Sequence, residues 1–260
     1  MDFALILVAA TGVSGLIWLV DMLAFAPKRR SLEAVRDRYQ PDPLVVEYAK
    51  SFFPVLFLVL VLRSFVFEPF RIPSGSMMPT LLTGDFIFVN KFSYGLRLPV
   101  LNTKIVDIGE AKRGDVVVFR YPSDTSVNYI KRVVGLPGDT VNYSAATKQL
   151  TINGESMDMA IVGSFADEPE ANLVREQLGE VEHEVLLSRI RSGRGGEYMV
   201  PEGHYFLMGD NRDNSQDSRY SDVGFVSEKL FVGKAEVIWM SWRAFSEGGP
   251  RWGRIGSSIN

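Results

Sequence analysis

Two apolar runs near the N-terminus constrain this chain more than any other feature of its sequence. Residues 1–26 contain 20 hydrophobic residues, and residues 52–67 contain 13 hydrophobic residues out of 16. No charged residue occurs from Phe3 to Val20. A helix needs about 20 consecutive apolar residues to cross a bilayer core. The sequence therefore predicts two membrane-spanning helices followed by a more polar part.

Each run has an alternative interpretation. The first run could be a cleaved secretory signal, but such signals begin with basic residues and have a shorter apolar core. Here Asp2 precedes the run and the basic cluster Lys28–Arg30 follows it, which favours a retained transmembrane helix. The second run is short and contains Arg63, whose long side chain can reach the headgroups from within a span. A buried or interfacial helix is the alternative for this second run.

The segment between the two runs indicates the orientation in the membrane. Residues 27–50 carry six basic residues against four acidic ones. Short loops rich in Lys and Arg stay on the cytoplasmic side. We therefore predict a first transmembrane helix at 1–26, a cytoplasmic loop at 27–50 and a second transmembrane helix at 51–67. Residues 68–260 then form an extracytoplasmic domain.

The composition excludes several kinds of chemistry. The chain has no Cys, which excludes disulfides, thiolate nucleophiles and cysteine-based zinc sites. Its two histidines, His183 and His204, provide little material for a histidine-rich metal site or a Ser-His-Asp triad. A net charge of −3 gives no reason to expect binding to nucleic acid. We expect no metal and no cofactor.

The residues after the second run predict a mainly β, antiparallel domain. Short segments rich in β-branched and aromatic residues alternate with turn signals such as Asn153-Gly154, without repeated helical crossovers. The predicted strands are Phe86–Phe92, Val116–Arg120, Val127–Val134, Thr140–Tyr143, Gln149–Ile152, Tyr205–Met208 and Leu230–Trp242.

Residues 140–200 differ from their surroundings because they are acidic and contain a glycine-rich stretch. We predict a smaller β-rich insertion here, between the two parts of the domain core, 68–139 and 201–260. Within the insertion, Asn172–Ile190 is ambiguous. Its Leu and Val spacing allows a helix, whereas the interruption at Gly179 and the final residues allow a strand.

Three segments contain candidates for chemistry, and the first surrounds Ser76. Two prolines and a glycine restrict the backbone of Ile72–Leu81, and Ser76 lies at the centre of this segment. A serine becomes a nucleophile only when a base activates it. Without such a base, Ser76 is an ordinary turn residue.

The second segment surrounds Lys131, which lies within an apolar strand pattern. Strand alternation places Lys131 on the opposite face from Ile130 and Arg132. If Lys131 faces inward, desolvation lowers its pKa and makes the neutral amine available as a base. If it faces outward, it is a solvated edge residue.

The third segment is the polar run Gly209–Arg219, which follows a predicted apolar strand. A calcium loop is the obvious alternative, but the spacing of an EF-hand is not met. A hydrogen-bonded loop that supports a site is favoured. Because the G-x-S-x-G, S-x-x-K and H-E-x-x-H patterns are absent from the sequence, a Ser–Lys dyad is the serine-based option that remains.

Together these features resemble the bacterial type I signal peptidases, a family of Ser–Lys serine endopeptidases. The resemblance covers the two apolar runs, the Ser76 segment, the strand Arg113–Phe119, the Lys131 segment and the run Gly209–Arg219. It is weakest across residues 140–200. It implies that Ser76 is the nucleophile and Lys131 the general base.

The resemblance also implies roles for the residues around this dyad. The Ser76 amide and the Ser74 hydroxyl would form the oxyanion hole, and Ser215 would orient the Lys131 amine. Two supporting ion pairs are implied: Asp217 with Arg219, and Asp210 with Arg132. The residues implied for the substrate pockets are Ile72, Met77, Leu81, Tyr129 and Ile130 for the −1 side chain, and Phe70, Ile87 and Val118 for the −3 side chain.

The implied activity is removal of N-terminal signal peptides from exported preproteins. The implied location is the cytoplasmic (inner) membrane, with the catalytic domain on the outer, periplasmic side. Ser76 follows Phe67 by nine residues, so chain reach keeps it close to the membrane surface. The expected partners are signal peptides, the lipid bilayer and, by proximity, the export translocon. The competing hypotheses are a membrane-anchored β domain that binds without cleaving and a self-cleaving Ser–Lys protease of the repressor type.

Overall fold

The computed structural model describes residues 3–36, 41–100, 103–243 and 248–259. The chain forms two compact units. The first comprises Met1–Phe67 and Gly95–Asp107, and the second comprises Glu68–Tyr94 and Ile108–Asn260.

The first unit is mainly helical, as the apolar runs predict. Its two long apolar helices, Ala4–Leu32 and Leu44–Val66, have the length and composition needed to cross a membrane. Most of their apolar side chains are exposed, which is typical of lipid-facing helices and not of a soluble core. The elements are α1 (Phe3–Val20), a π-helical turn (Asp21–Phe25), α2 (Ala26–Arg36), α3 (Leu44–Val61), a second π-helical turn (Leu62–Val66) and the short strands β3 (Leu96–Arg97) and β4 (Lys104–Val106).

Asp21 lies within the first apolar helix, where an unpaired carboxylate would be costly. The structure gives it two cationic partners, with Arg29 Nη1 at 2.7 Å and Lys50 Nζ at 3.3 Å from its carboxylate oxygens. Both cations also contact Asp42, at 2.8 Å and 2.5 Å respectively. The charge of Asp21 is therefore compensated by a four-residue network that joins the first helix to the second.

The main sheet of the second unit has seven strands in the order β1-β2-β16-β5-β6-β14-β15. The strand pairs from β2 to β15 are antiparallel, which confirms the predicted mainly antiparallel β class. The strands are β1 (Phe67–Arg71), β2 (Asp85–Asn90), β5 (Val116–Tyr121), β6 (Asp124–Gly135), β14 (His204–Met208), β15 (Val226–Ser227) and β16 (Phe231–Ser241).

Both faces of this sheet are covered at its centre. In β5, Val116 and Val118 belong to one buried cluster, whereas Val117 and Phe119 belong to another. Successive strand residues point to opposite faces, so two clusters fed by alternate residues must lie on opposite sides of the sheet. The neighbouring strand β6 has the same uninterrupted burial from Ile130 onwards. A lysine in that part of β6 is therefore largely removed from solvent.

Residues 140–200 form two smaller sheets, with strand orders β10-β11-β12 and β13-β7-β8-β9. The ambiguous segment Asn172–Ile190 is a hairpin, so the strand alternative is correct and the helix alternative is wrong. Gly179 has a φ of +64° between the two strands, in the left-handed region where glycine avoids strain. The strands are β7 (Thr140–Tyr143), β8 (Leu150–Ile152), β9 (Glu155–Ser156), β10 (Met159–Phe165), β11 (Glu168–Leu178), β12 (Val181–Ser188) and β13 (Gly196–Met199).

The aromatic contact between β14 and β13 offers a test of this packing. Phe206 is fully buried, with its ring centroid 4.7 Å from that of Tyr198 and 6.2 Å from that of Phe225. We expect Phe206→Ala to cost about 3–5 kcal/mol of folding free energy, because it removes a buried ring and leaves a cavity. The thermal midpoint of the detergent-solubilised chain, followed by circular dichroism, should fall by at least about 6 °C. Met199→Ala is the control, since Met199 is 74% exposed. Equal midpoints for the two variants would contradict this packing.

Candidate functional site

Ser76 lies in a tight segment between β1 and β2 that is anchored by buried neighbours. The Ile72 amide donates to the Asp85 carbonyl at 2.8 Å, and the Leu81 amide donates to the Met77 carbonyl at 2.9 Å. Met77 and Leu81 are fully buried, whereas Ser76 is half-buried. The apolar side chains therefore hold the turn in place and leave the serine hydroxyl at its edge.

Lys131 is on β6 and faces the interior, which is the first of the two predicted alternatives. Its side chain is only 4% exposed. The amine Nζ lies 2.6 Å from Ser76 Oγ and donates a hydrogen bond to the Ile130 carbonyl at 2.9 Å. The structure thus brings Ser76 and Lys131 into direct contact from positions 55 residues apart.

Burial lowers the pKa of Lys131 to about 8, because the protonated amine loses its hydration inside the protein. The charges of Asp217 and Asp210 act in the opposite direction and raise this pKa, and the charge of Arg219 lowers it. An amine with such a pKa is partly neutral near neutral pH. A neutral amine at hydrogen-bond distance from a serine hydroxyl can act as the base that activates a nucleophile.

The two carboxylates that raise the pKa of Lys131 are each bound by an arginine. Arg132 Nε and Nη2 contact the carboxylate of Asp210 at 2.8 Å and 2.7 Å, and Arg219 contacts that of Asp217 at 2.8 Å through the same two nitrogens. All four side chains are at most 1% exposed. Burial acts to raise the pKa of Asp210, but the Arg132 guanidinium brings it below its usual value. Both implied ion pairs are thus formed, and they offset the negative charge that would otherwise favour the Lys131 ammonium.

The polar run 209–219 contacts the Ser76 segment directly. The Asn211 amide donates to the Ser76 carbonyl at 3.1 Å, and Asn211 Nδ2 donates to the Gly75 carbonyl at 3.1 Å. Gly209 permits this approach. A Cβ atom at position 209 would lie 2.5 Å from the Ser76 carbonyl oxygen and 2.2 Å from Ser215 Oγ. Any side chain there would push the run away from the serine.

Ser215 is near the site, but the hydrogen bond implied for it is not made in this structure. Its hydroxyl is buried and makes no hydrogen bond with any residue that the structure describes. The bonds of the Lys131 amine go instead to Ser76 and to the Ile130 carbonyl. The expected Ser215–Lys131 bond is therefore absent, and the nearby Ser215 hydroxyl has no partner among the residues that the structure describes.

The residues implied for substrate binding and for the oxyanion hole differ in their burial and packing. Tyr129 packs against a second cluster, with its ring centroid 4.5 Å from that of Tyr121, and it also lies beside the base, since the Lys131 amine is 5.7 Å from its ring centroid. Ser74 is exposed, two residues before Ser76. The other seven belong to one cluster, six as buried members and Phe70 as a partly buried neighbour: Ile72, Met77, Leu81, Ile87, Val118, Ile130 and Phe70.

Several residues at the site were not identified from the sequence. Asn211 and Gly209 lie inside the predicted polar run, but their contacts depend on the fold. Glu168 and Glu176 come from the acidic insertion, where no motif distinguishes them from other acids. His183 is buried beside Glu176, and burial lowers its pKa to about 4, so this histidine is neutral near pH 7. We assign it no role in the chemistry of Ser76.

Comparisons with known proteins agree on one family. A family model described as "Signal peptidase, peptidase S26" matches residues 45–242, a range that includes Ser76, Lys131 and the run 209–219. The chain is 54% identical to signal peptidase I of Pseudomonas fluorescens and 52% identical to that of Pseudomonas aeruginosa, over 93% of each chain. It is 34% identical to signal peptidase I of Buchnera aphidicola, over 90% of each chain.

The protonation of Lys131 can be measured directly. We expect its side-chain nitrogen to titrate near pH 8 in a ¹⁵N NMR experiment on the folded chain, and Lys131→Met assigns the signal by removing it. In the unfolded chain this amine titrates near the ordinary lysine pKa of 10.5. Between pH 8 and 10.5 the unfolded state therefore binds more protons, so Lys131 should make folding stability rise with pH across this window. A midpoint near 10.5 in the folded chain would contradict the desolvation argument.

Proposed function

The chain belongs to the signal peptidase family of peptidases, peptidase S26, and from this premise we propose that it is a membrane-bound serine endopeptidase. Its substrates are exported preproteins, from which it removes the N-terminal signal peptide. Ser76 is the nucleophile and Lys131 is the general base. One observation carries this proposal: the 2.6 Å contact between Ser76 Oγ and the Nζ of a buried lysine whose pKa is lowered to about 8.

The reaction begins with the neutral form of Lys131. The amine accepts the proton of the Ser76 hydroxyl while Ser76 Oγ attacks the carbonyl carbon of the scissile peptide bond. The new ammonium keeps its hydrogen bond to the Ile130 carbonyl, which holds it in place. The bidentate arginine pairs of Asp210 and Asp217 support the base role, because they weaken the pull of those carboxylates on the proton.

Negative charge then develops on the substrate carbonyl oxygen. We assign its stabilisation to the Ser76 amide and the Ser74 hydroxyl, an assignment that follows the family and the position of Ser74 two residues upstream. One donor of this kind is typically worth about 3–4 kcal/mol of transition-state stabilisation. Lys131 next returns its proton to the leaving amine as the peptide bond breaks. Water then attacks the acyl-enzyme, with Lys131 again as base, and releases the signal peptide.

The apolar surroundings of Ser76 support a preference for apolar side chains. Ile72, Met77 and Ile130 are buried together beside the nucleophile, and they offer no polar or charged group to a substrate. Such walls favour apolar side chains over charged ones, and the preference for small residues such as alanine follows the family. We therefore propose small residues at the −1 and −3 positions of the substrate, with the seven clustered pocket residues as the walls.

The two long apolar helices support a location in the cytoplasmic (inner) membrane. We propose spans at 1–26 and 51–67, a cytoplasmic loop at 27–50 and a catalytic domain on the outer, periplasmic side. In that domain 68–139 and 201–260 form the core and 140–200 the insertion. Signal peptides are cut as they emerge at the outer surface, so this arrangement also brings the enzyme near the export translocon and the bilayer.

The dyad is tested by cleavage of a preprotein with an Ala-x-Ala site by the detergent-solubilised chain. We expect wild-type cleavage, and a loss of at least about 10³-fold in kcat/KM for both Ser76→Ala and Lys131→Ala, because neither dyad member works without the other. Lys91→Ala is a matched control, because it also removes a lysine, but one whose partner is Glu68, at 3.0 Å, and not Ser76. Full activity of Lys131→Ala would refute the dyad. No cleavage by the wild-type chain would favour a binding domain instead.

The orientation is tested by labelling single cysteines in intact cells, which is simple because the chain has none of its own. We expect a membrane-impermeant maleimide to label Trp252→Cys, which is 73% exposed in the second unit, without cell lysis. We expect Arg30→Cys, in the basic loop, to be labelled only after lysis, because basic loops stay in the cytoplasm. The reverse pattern would invert the proposed topology.

A further inference from the structure

The insertion contacts the polar run 209–219 along the β11–β12 hairpin. The Leu186 amide donates to the Asp210 carbonyl at 2.9 Å, and the Arg212 amide donates to the Leu186 carbonyl at 3.1 Å. Glu176 of β11 binds the Arg212 guanidinium through both carboxylate oxygens, with Nη1–Oε1 at 2.8 Å, and both side chains are at most 1% exposed. The hairpin therefore fixes the run from the side opposite to Ser76.

Between Asp210 and Arg212, Asn211 joins this hairpin to the nucleophile segment. Its backbone amide donates to the Ser76 carbonyl at 3.1 Å. Its side-chain nitrogen Nδ2 carries two N–H groups, and both donate. One binds the Gly75 carbonyl at 3.1 Å and the other binds Glu168 Oε1 at 2.8 Å. Asn211 is 2% exposed, so water cannot replace these partners readily.

We propose that Glu168 is a positioning residue for the Ser76 nucleophile, acting through Asn211. This inference rests on the proposed function. A carboxylate is only an acceptor, so it binds the NH₂ end of the Asn211 amide and rejects the carbonyl end. Together with the Gly75 carbonyl, which is also only an acceptor, it holds the amide with both N–H groups of Nδ2 in use. With Glu168 absent, the second N–H of Nδ2 loses its partner in a buried site, and the bond to the Gly75 carbonyl alone holds the side chain, which loosens the segment that carries Ser76.

The position of Glu168 is itself fixed by the hairpin that ends there. Glu168 pairs with Phe165 at the turn between β10 and β11. The preceding residue, Asp167, binds Arg243 at 2.6 Å. Glu168 also accepts a longer bond of 3.4 Å from Asn214, which is exposed on the side of the run. Because Asn211 is buried and closer, the Asn211 contact carries the positioning effect.

The test uses the full-length chain and the Ala-x-Ala preprotein. We expect Glu168→Ala to lower kcat about tenfold, the rate equivalent of one hydrogen bond to a charged group. KM should change less than about twofold, because the inferred role of Glu168 is to position Ser76 and not to bind substrate. Glu168→Gln should recover most of the lost kcat, since its Oε1 still accepts from Asn211. Glu170→Ala is the matched control, a carboxylate two residues further along β11 whose hydrogen bonds are made by its backbone carbonyl, and it should keep wild-type kcat.

A double-mutant cycle separates positioning through Asn211 from a general effect of the charge or of stability. Asn211→Ala should lower kcat by itself, and Glu168→Ala should lower it no further in that background. Wild-type kcat for Glu168→Ala, no recovery in Glu168→Gln, or additive losses in the cycle would each overturn the inference. Abolished cleavage by Ser76→Ala in the same assay establishes that the proposed function holds, so these outcomes bear on Glu168 alone.

Discussion

Burial of the Lys131 amine beside Ser76 is the interaction on which the rest of this site depends. The central strands of the sheet are covered on both faces, so the lysine loses its hydration and its pKa falls to about 8. That benefit is lost if nearby carboxylates stabilise the ammonium. The fold therefore neutralises Asp210 and Asp217 with Arg132 and Arg219, at a distance from the amine and out of contact with solvent.

Buried ion pairs of this kind are poor stabilisers, because each charge must be stripped of water before the pair forms. Their value here is geometric. The Arg132–Asp210 pair joins β6, which carries the base, to the polar run 209–219, and the Glu176–Arg212 pair joins the insertion to the same run. Loss of one partner would leave an uncompensated charge in the interior. The pairs thus tie the positions of three separate parts of the chain to one another.

The expectations that the structure confirms are those that rest on local patterns in the sequence. The limits of the seven predicted strands depend on local patterns and agree with the structure to within three residues, whereas the two long helices extend six and seven residues into the predicted loop 27–50. The segment Asn172–Ile190 stayed ambiguous because its pattern suits a helix and a strand equally, and only its pairing with the rest of the insertion decides. The implied Ser215–Lys131 bond is not made in this structure, because it depends on where a side chain points in three dimensions.

By itself, the sequence determined the class of the domain, the two membrane-capable helices and the candidate pair Ser76 and Lys131. The first two follow from hydrophobic periodicity and turn residues, which act over short stretches of chain, and the pair follows from the resemblance of its segments to the type I signal peptidases. Only the tertiary structure decided that Lys131 faces inward, that its amine meets a serine 55 residues away, and that Asn211 and Glu168 support that serine. Those contacts join residues far apart in the chain, and their energies exist only after the sheets have paired and water has been excluded.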